Sequence, residues 1–253
     1  MLKTRIIPCL QLIGESLVKT VKFGNYGYIG DPINTVRIFN ELEVDELCFL
    51  DIRASLENRK PNISILQQIS NECFMPLSYG GGIDSFDNAR RIFAIGFEKV
   101  ILNTHAYRSP ELIKQIAEHY GVQAVVASVD VKKNIWGKYQ VYINDGTEKI
   151  SADIIEYIQH LTNMGAGEIL LTSMDRDGTW NGFDMELVNK VERAVSVPVI
   201  ANGGAGSIEH IEKVVKHGKA SAVALGSMVV YQKKGMGVLV NFPDKKRLEK
   251  ALS

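Results

Sequence analysis

The sequence predicts a single α/β domain over residues 1–253, folded as a (β/α)8 TIM barrel. The length of 253 residues is typical of that fold. Short apolar or β-branched runs alternate with longer amphipathic runs, as expected of parallel strands covered by helices. The two halves of the chain also resemble each other, which favours a closed barrel over the alternative, an open doubly wound sheet.

Most of the chain can be divided into strands and helices by hydrophobic periodicity. The candidate strands are Arg5–Leu10, Glu46–Asp51, Met75–Ser78, Lys99–Leu102, Ala124–Asp130, Glu168–Thr172, Pro198–Ala201 and Ala222–Leu225. The candidate helices are Pro32–Glu43, Ser85–Ile95, Ser109–Tyr120, Asp153–Met164, Asp184–Ala194 and Ile208–His217.

Two segments interrupt this alternation. Lys138–Ile143 alternates polar and apolar residues, which predicts a short hairpin inserted after the strand that ends at Asp130. The segment Lys19–Asp31 is polar and contains three glycines, which predicts a long mobile loop after the first strand. Long loops of this kind often serve as lids over active sites.

Four strings recur in the same order in both halves. RIIPCLQL from Arg5 resembles VVASVDV from Val125, and CFLDIRAS from Cys48 resembles ILLTSMDRDG from Ile169. PLSYGGGI from residue 76 resembles PVIANGGAG from residue 198, and KVILNT from residue 99 resembles SAVALGS from residue 221. Because the offset stays close to one value, we predict two half-barrels, about 1–122 and 123–253.

Composition excludes several classes of function. Lys plus Arg and Asp plus Glu number 29 each, so no net positive field gathers nucleic acid or an anionic membrane. The three cysteines form no zinc motif, so no metal and no cofactor is expected, and Cys9, Cys48 and Cys73 are all expected to be buried. No apolar stretch reaches the roughly 20 residues of a membrane span, and no secretion signal is evident, so a cytoplasmic location is expected.

Two glycine clusters each follow a strand and precede a helix: Gly80-Gly81-Gly82 and Gly203-Gly204-Ala205-Gly206. Glycine lets the backbone approach an anion, and the N-terminus of the next helix offers free amides. We therefore predict two phosphate sites at opposite ends of one elongated substrate, with Ser85 and Ser207 as helix caps. Asn103, Thr104 and Ser227 end neighbouring strands and could complete these sites. The alternative is a pair of tight turns with no ligand.

Carboxylates follow several strands at the end where barrel enzymes carry their chemistry. Asp130 ends an apolar strand and is the candidate general acid or base. Asp51 and Asp177 end or follow other strands, and Lys19 lies in the predicted loop, where it could close over a phosphate. The alternative for Asp51 and Asp177 is a helix cap or a turn.

Charged residues also recur at the opposite ends of strands. Four of them begin strands and would form a ring that closes the bottom of the barrel: Arg5, Glu46, Lys99 and Glu168. Since the bottom face of a barrel usually serves stability, the simpler alternative is a plug of salt bridges.

The chain resembles one family closely over roughly residues 2–229: the cyclase subunit of imidazole glycerol phosphate synthase. The strings that carry the resemblance are RIIPCL, Gly30-Asp31-Pro32, FLDI, GGGI, ILLTSMDRDGT and VPVIANGGAG. The resemblance implies a glutaminase partner docked at the bottom face, and ammonia that passes a charged gate into the barrel. At the top, ammonia would react with a bisphosphorylated ribulosyl-formimino aminoimidazole carboxamide. Products would be imidazole glycerol phosphate and aminoimidazole carboxamide ribotide.

The resemblance also implies roles for individual residues. The gate corresponds to the four bottom charges, Glu98 to a docking position for the glutaminase, and Asp130 to one of two catalytic aspartates. The substrate- and phosphate-binding set is Lys19, Asp51, Gly81, Gly82, Asn103, Thr104, Asp177, Gly178, Gly203, Gly204 and Ser227.

The second catalytic aspartate of the family is replaced by Gln11, which cannot exchange a proton near neutral pH. At the same rim, Arg53 replaces a small polar residue, Tyr79 a small apolar residue and Asn202 a serine, and the C-terminal stretch also departs from the family. This pattern resembles paralogues found in surface-polysaccharide gene clusters, which are thought to help make acetamidino sugars. In such a paralogue the barrel would chiefly conduct ammonia.

Two further classes remain as alternatives. The isomerase that precedes this step shares the half-barrel repeat, and ILLTSMDRDGT fits both relatives, but the ring of bottom charges favours the cyclase. A nonenzymatic scaffold is disfavoured because it would have no use for two phosphate loops.

Overall fold

The computed structural model describes residues 4–253, so the first three residues of the predicted domain lie outside it. In chain order the strands are β1 (Arg5–Ile13), β2 (Ser16–Thr20), β3 (Tyr26–Gly30), β4 (Leu47–Asp51), β5 (Leu77–Gly80), β6 (Lys99–Leu102), β7 (Val125–Lys133), β8 (Tyr139–Ile143), β9 (Glu148–Lys149), β10 (Glu168–Ser173), β11 (Val199–Asn202) and β12 (Ala222–Leu225). The helices are α1 (Pro32–Glu41), α2 (Ile63–Glu72), α3 (Phe86–Ala94), α4 (Thr104–Arg108), α5 (Glu111–Tyr120), α6 (Ile154–Asn163), α7 (Met185–Glu192), α8 (Ile208–Lys216), α9 (Ser227–Val230) and α10 (Lys245–Leu252).

Eight of these strands close into a parallel barrel. β1 pairs in parallel with β12 on one side and with β4 on the other. The ring continues through β5, β6 and β7, and β10 closes it by pairing with both β7 and β11. The predicted (β/α)8 barrel is therefore confirmed, and the open-sheet alternative is wrong.

The apolar residues of the strands form two layers because successive side chains point to opposite faces. One layer fills the barrel interior and includes Ile7, Cys9, Cys48, Ile101 and Leu170. The other lies between the strands and the helices and forms the larger core. Burial on both faces explains why the strands read as continuous apolar runs in the sequence. Cys9 and Cys48 are buried as predicted, whereas Cys73 is only partly buried, so the prediction for Cys73 is wrong.

Short polar side chains begin most of the longer helices. The hydroxyls of Ser85 and Ser207 accept the backbone N–H groups of Asn88 and His210, so both predicted caps are confirmed. The carboxylates of Asp31, Asp153 and Asp184 serve in the same way at α1, α6 and α7. These caps fix where each helix starts, just above the carboxyl end of the preceding strand.

The predicted mobile loop over Lys19–Asp31 is wrong. The segment is part of an antiparallel hairpin, in which β2 pairs with both β1 and β3. The glycines lie in β3, which is largely exposed, and in the turn before it, and such glycines are typical of loops. Tyr26 and Tyr28, in contrast, favour a strand. The hairpin also rests on the loop after β10, since the backbone N–H of Lys22 donates to the carbonyl of Asp177 at 2.9 Å.

The other insertion was predicted correctly. Lys138–Ile143 contains β8, which pairs antiparallel with the extension of β7 beyond Asp130. Helices α2, α4, α9 and α10 were not predicted. The division into two half-barrels stays a prediction.

Candidate active site

A pocket of about 920 Å³, which includes the solvent at its mouth, lies at the carboxyl ends of the barrel strands. The predicted site residues that line it are Gln11, Lys19, Asp51, Gly81, Gly82, Asn103, Thr104, Asp130 and Asp177. Gly178, Gly203, Gly204 and Ser227 do not line this upper pocket, although Gly226, directly before Ser227, does. The structure thus brings most of the predicted set together around one opening.

Asp130 projects from β7 and is 8% exposed. Burial raises the pKa of its carboxyl to about 7, while the hydroxyls of Thr172 and Ser128 act in the opposite direction. The side-chain amide of Asn103 donates to Asp130 Oδ2 at 3.2 Å. A carboxyl with a pKa near neutrality is suited to both giving and taking a proton under physiological conditions.

Gln11 projects from β1, on the side of the barrel rim opposite to β7 and Asp130, and is held by the β2 strand. Its Oε1 accepts the backbone N–H of Thr20 at 2.9 Å and the Thr20 hydroxyl at 3.2 Å. The amide therefore ties the hairpin to the barrel. It has no titratable group, so proton exchange in this pocket has to come from other side chains.

Lys19 and Asp177 form a buried ion pair across the rim. Lys19 Nζ lies 2.8 Å from Asp177 Oδ1, and the Thr20 hydroxyl donates to Asp177 Oδ2 at 3.0 Å. The Lys19 side chain is 3% exposed, so its predicted position in a mobile loop is wrong. An ammonium group this deeply buried requires an opposite charge, and nothing in the local sequence shows that a residue 158 positions away supplies it.

Asp51 at the end of β4 is also paired rather than capping a helix or turn. Both of its oxygens accept from the guanidinium of Arg59, at 2.7 and 3.0 Å. The Asp51 side chain is 2% exposed, whereas Arg59 is a third exposed. The sequence analysis missed Arg59, which lies eight residues downstream of Asp51 in an irregular loop.

The glycine clusters have a structural reason independent of any ligand. Gly82 has φ +66°, and a Cβ there would lie 2.2 Å from the carbonyl oxygen of Arg59. Gly204 has φ +107°, and a Cβ there would lie 2.2 Å from the carbonyl oxygen of Gly182. Only glycine fits these left-handed, crowded turns. The packing alone accounts for both glycines, and the phosphate sites stay a prediction.

At the opposite end of the barrel, Arg5, Glu46, Lys99 and Glu168 meet in one cluster, the charged ring. Arg5 donates to Glu46 at 2.8 Å and to Glu168 at 2.9 Å, and Lys99 Nζ lies 3.3 Å from both carboxylates. Glu98 beside this ring is exposed. The alternating charges close the barrel end.

A small apolar cavity lies directly above the charged ring. Its lining includes Glu46 of the ring, together with Ile7, Cys48, Ser78, Val126 and Ala224. Ile101 lines both this lower cavity and the upper pocket. The barrel interior therefore has space at two levels, and Ile101 borders both.

The described part of the chain has neither a metal-binding cluster nor a membrane-spanning helix. Residues 4–253 contain no group of three or more His, Cys, Asp or Glu side chains that could hold a metal ion. No helix in the same range is long and apolar enough to cross a membrane.

Sequence comparison identifies the family. Residues 5–235 match the model of the family described as histidine biosynthesis protein. A Pseudomonas aeruginosa protein, provisionally named imidazole glycerol phosphate synthase subunit hisF2, is 47% identical over 249 residues, 98% of this chain and 99% of that protein. A Vibrio vulnificus protein, provisionally named subunit hisF3, is 43% identical over 100% of this chain and 97% of its own length.

A relative whose name carries no provisional mark matches almost as well. The imidazole glycerol phosphate synthase subunit HisF of Chlorobium limicola is 46% identical over 228 residues, 90% of each chain. These matches confirm the resemblance that the strand-end motifs carry. The chain belongs to the histidine biosynthesis protein family and is a relative of the HisF subunit of imidazole glycerol phosphate synthase.

Proposed function

We propose that the chain is the cyclase subunit of an imidazole glycerol phosphate synthase-like glutamine amidotransferase complex. It uses ammonia from a glutaminase partner to convert a bisphosphorylated ribulosyl-formimino aminoimidazole carboxamide to imidazole glycerol phosphate. The observation that carries this proposal is Asp130, a buried carboxyl in the upper pocket with a pKa raised to about 7 by burial.

The chemistry requires a group of this kind. Ammonia that becomes a nitrogen of an imidazole ring must lose protons as its new bonds form, and a positioned carboxylate can take them. Asn103 holds Asp130 in place through a hydrogen bond to Oδ2. Asp51 and Asp177 are committed to ion pairs with Arg59 and Lys19, which suits them to positioning rather than to proton exchange.

The barrel interior supports delivery of ammonia from below. The charged ring closes the bottom, the lower cavity lies above it, and Ile101 lines both that cavity and the upper pocket. A neutral molecule as small as ammonia would pass an apolar interior far more readily than an ion. The glutaminase would dock on the bottom face near Glu98, with one partner for each barrel.

Gln11 favours a second candidate function. A glutamine cannot exchange protons, and its Oε1 is occupied by two hydrogen bonds from Thr20. The chain would then be an ammonia-channelling paralogue that serves amidination of a surface-polysaccharide sugar. The chain is 47% and 43% identical to relatives named hisF2 and hisF3, and these numbers indicate second and third copies of the subunit. The similarity is therefore consistent with a paralogue as well as with a histidine-pathway enzyme.

Gln11→Asp is expected to raise cyclisation if proton transfer limits the unmodified chain. A second carboxylate in the pocket should raise the turnover rate about 100- to 10,000-fold if it supplies a missing proton transfer. The assay uses purified chain, ammonium salt and the bisphosphorylated substrate, which removes the need for a partner. Gln68→Glu, an exposed change on α2, is the matched control.

The outcomes separate the two candidates. Turnover by the unmodified chain supports the cyclase. Turnover that appears only in Gln11→Asp supports the channelling paralogue with a substrate site whose acid–base pair is switched off. Absence of turnover in both proteins would contradict this substrate.

A further inference from the structure

Asp145 is a carboxyl of the upper pocket that the family resemblance does not account for. It lies in the turn between β8 and β9, and it lines the same pocket as Asp130. Its side chain is 14% exposed. Within residues 4–253 its one partner is Arg53, whose Nε lies 3.8 Å from Asp145 Oδ2, too far for a hydrogen bond. Its carboxylate accepts no hydrogen bond within residues 4–253 and is partly exposed, so its oxygens are open to a ligand in the pocket.

The backbone fixes this carboxyl in place. Asn144 and Asp145 both have φ +57°, a left-handed conformation that few residues other than Gly, Asn and Asp adopt. The backbone N–H of Asn144 donates to the hydroxyl of Thr104 at 3.1 Å, which ties the turn to the end of β6. The turn therefore presents Asp145 to the pocket from a rigid position.

Several charges surround Asp145. Burial raises the pKa of its carboxyl to about 6, the guanidinium of Arg53 lowers it, and the carboxylates of Glu57 and Asp51 raise it. The charge of Asp145 in turn contributes to the raised pKa of Asp130. Two carboxyls of one pocket thus exchange protons close to neutral pH, whereas Asp51 and Asp177 are held in ion pairs.

We propose that Asp145 is a second ligand-facing carboxyl of this pocket, which accepts an N–H or O–H of the substrate and carries the proton that Gln11 cannot carry. The inference rests on the proposed function and deepens it. The carboxylate takes one proton from the ammonia-derived nitrogen as that nitrogen forms its new bond, becomes a carboxylic acid, and returns the proton to a leaving group or to water. The ligand class is a phosphorylated aminoimidazole carboxamide, which offers amino and amide N–H donors.

The test is Asp145→Asn, with Glu148→Gln in the same hairpin as the control. Asparagine has the same size and tolerates the left-handed backbone, so the fold should be retained. Glu148 does not line the pocket and pairs with the exposed Arg108. The probe is aminoimidazole carboxamide ribotide, whose affinity is measured by calorimetry between pH 5 and pH 8 in the three proteins, beside their melting temperatures.

A ligand N–H binds the ionised form of Asp145, so affinity should be highest above pH 6 and should fall as pH decreases through 6. In Asp145→Asn, affinity at pH 8 should drop about 10-fold, and the difference from the unmodified chain should vanish toward pH 5. Turnover with ammonium salt should fall by about 100-fold. Glu148→Gln should match the unmodified chain, and all three melting temperatures should agree.

An Asp145→Asn protein with unchanged affinity at every pH would overturn the inference, whatever its turnover. If the unmodified chain does not turn over the substrate at all, the cyclase proposal fails. A loss of affinity and of its pH dependence specific to Asp145→Asn would still support the carboxyl contact and its proton exchange. A merely structural link between Arg53 and Asp145 would instead change the melting temperature and leave the pH dependence of binding intact.

Discussion

Asp130→Asn should lower the turnover of the bisphosphorylated substrate with ammonium salt by about 100- to 10,000-fold, the usual contribution of one general acid or base. Asparagine has the same shape and can still accept the hydrogen bond from Asn103. The change therefore removes proton exchange and little else. We expect kcat to fall while KM changes little, because the substrate contacts outside the proton transfer remain. Steady-state kinetics at pH 7 measures both constants.

The same substitution should make the fold more stable at high pH. The folded-state pKa of Asp130, about 7, lies above its ordinary value of 3.8, so the folded chain binds this proton more tightly than the unfolded chain does. The wild-type chain therefore loses stability as pH rises from about 4 to 7. Above pH 7, Asp130→Asn escapes that loss, which is at most about 4 kcal/mol for a shift of this size.

Thermal unfolding at pH 5 and pH 8 measures this gain, and Asp87→Asn is the control. Asp87 lies exposed on α3 and pairs with the exposed Arg90, so its removal should alter neither turnover nor the change in stability between pH 5 and pH 8. A variant at position 130 that keeps normal turnover would show that Asp130 does not carry the proton. A variant that is no more stable at pH 8 than the wild-type chain would show that the carboxyl is solvated.

The barrel could be predicted from sequence because its strands are buried on both faces. Runs such as Arg5–Leu10 and Ala222–Leu225 are almost entirely apolar, which predicts strands that are buried on both faces. The repeat of four motifs in the two halves then favours a closed barrel, which hydrophobic periodicity alone does not indicate. The strand ends then place Asp51, Asn103 and Asp130 around one opening, which holds for any barrel of this kind.

What could not be predicted depends on contacts between distant segments. The pairing of Lys19 with Asp177 requires the β2–β3 hairpin to fold back over the rim. The glycines in that hairpin made its sequence look like a loop, so the two strands were not predicted. Asp145 lies in a turn whose sequence, Asn-Asp-Gly, is typical of any hairpin. Its position in the pocket follows from how β8 packs, which periodicity does not encode.

Lys19→Met should destabilise the fold by about 3–5 kcal/mol, the usual effect of removing one partner of a buried ion pair. Methionine has a similar volume, but it leaves the Asp177 carboxylate buried with only the Thr20 hydroxyl as a remaining side-chain donor among residues 4–253. The β2–β3 hairpin should also loosen from the loop after β10, which would raise KM for the phosphorylated substrate. Chemical unfolding and steady-state kinetics measure the two effects.

The double variant Lys19→Met/Asp177→Asn distinguishes the buried charge from lost packing. It removes both charges, so it should recover much of the stability that Lys19→Met loses. Lys216→Met is the matched control, because Lys216 pairs with Glu212 on the exposed face of α8 and such pairs contribute about 0–1 kcal/mol. Equal losses in Lys19→Met and the double variant would mean that the Lys19 side chain stabilises the rim by packing alone. Recovery in the double variant with KM still raised would assign the Lys19–Asp177 pair itself to substrate binding, since the hairpin would then be folded but without either charge of the pair.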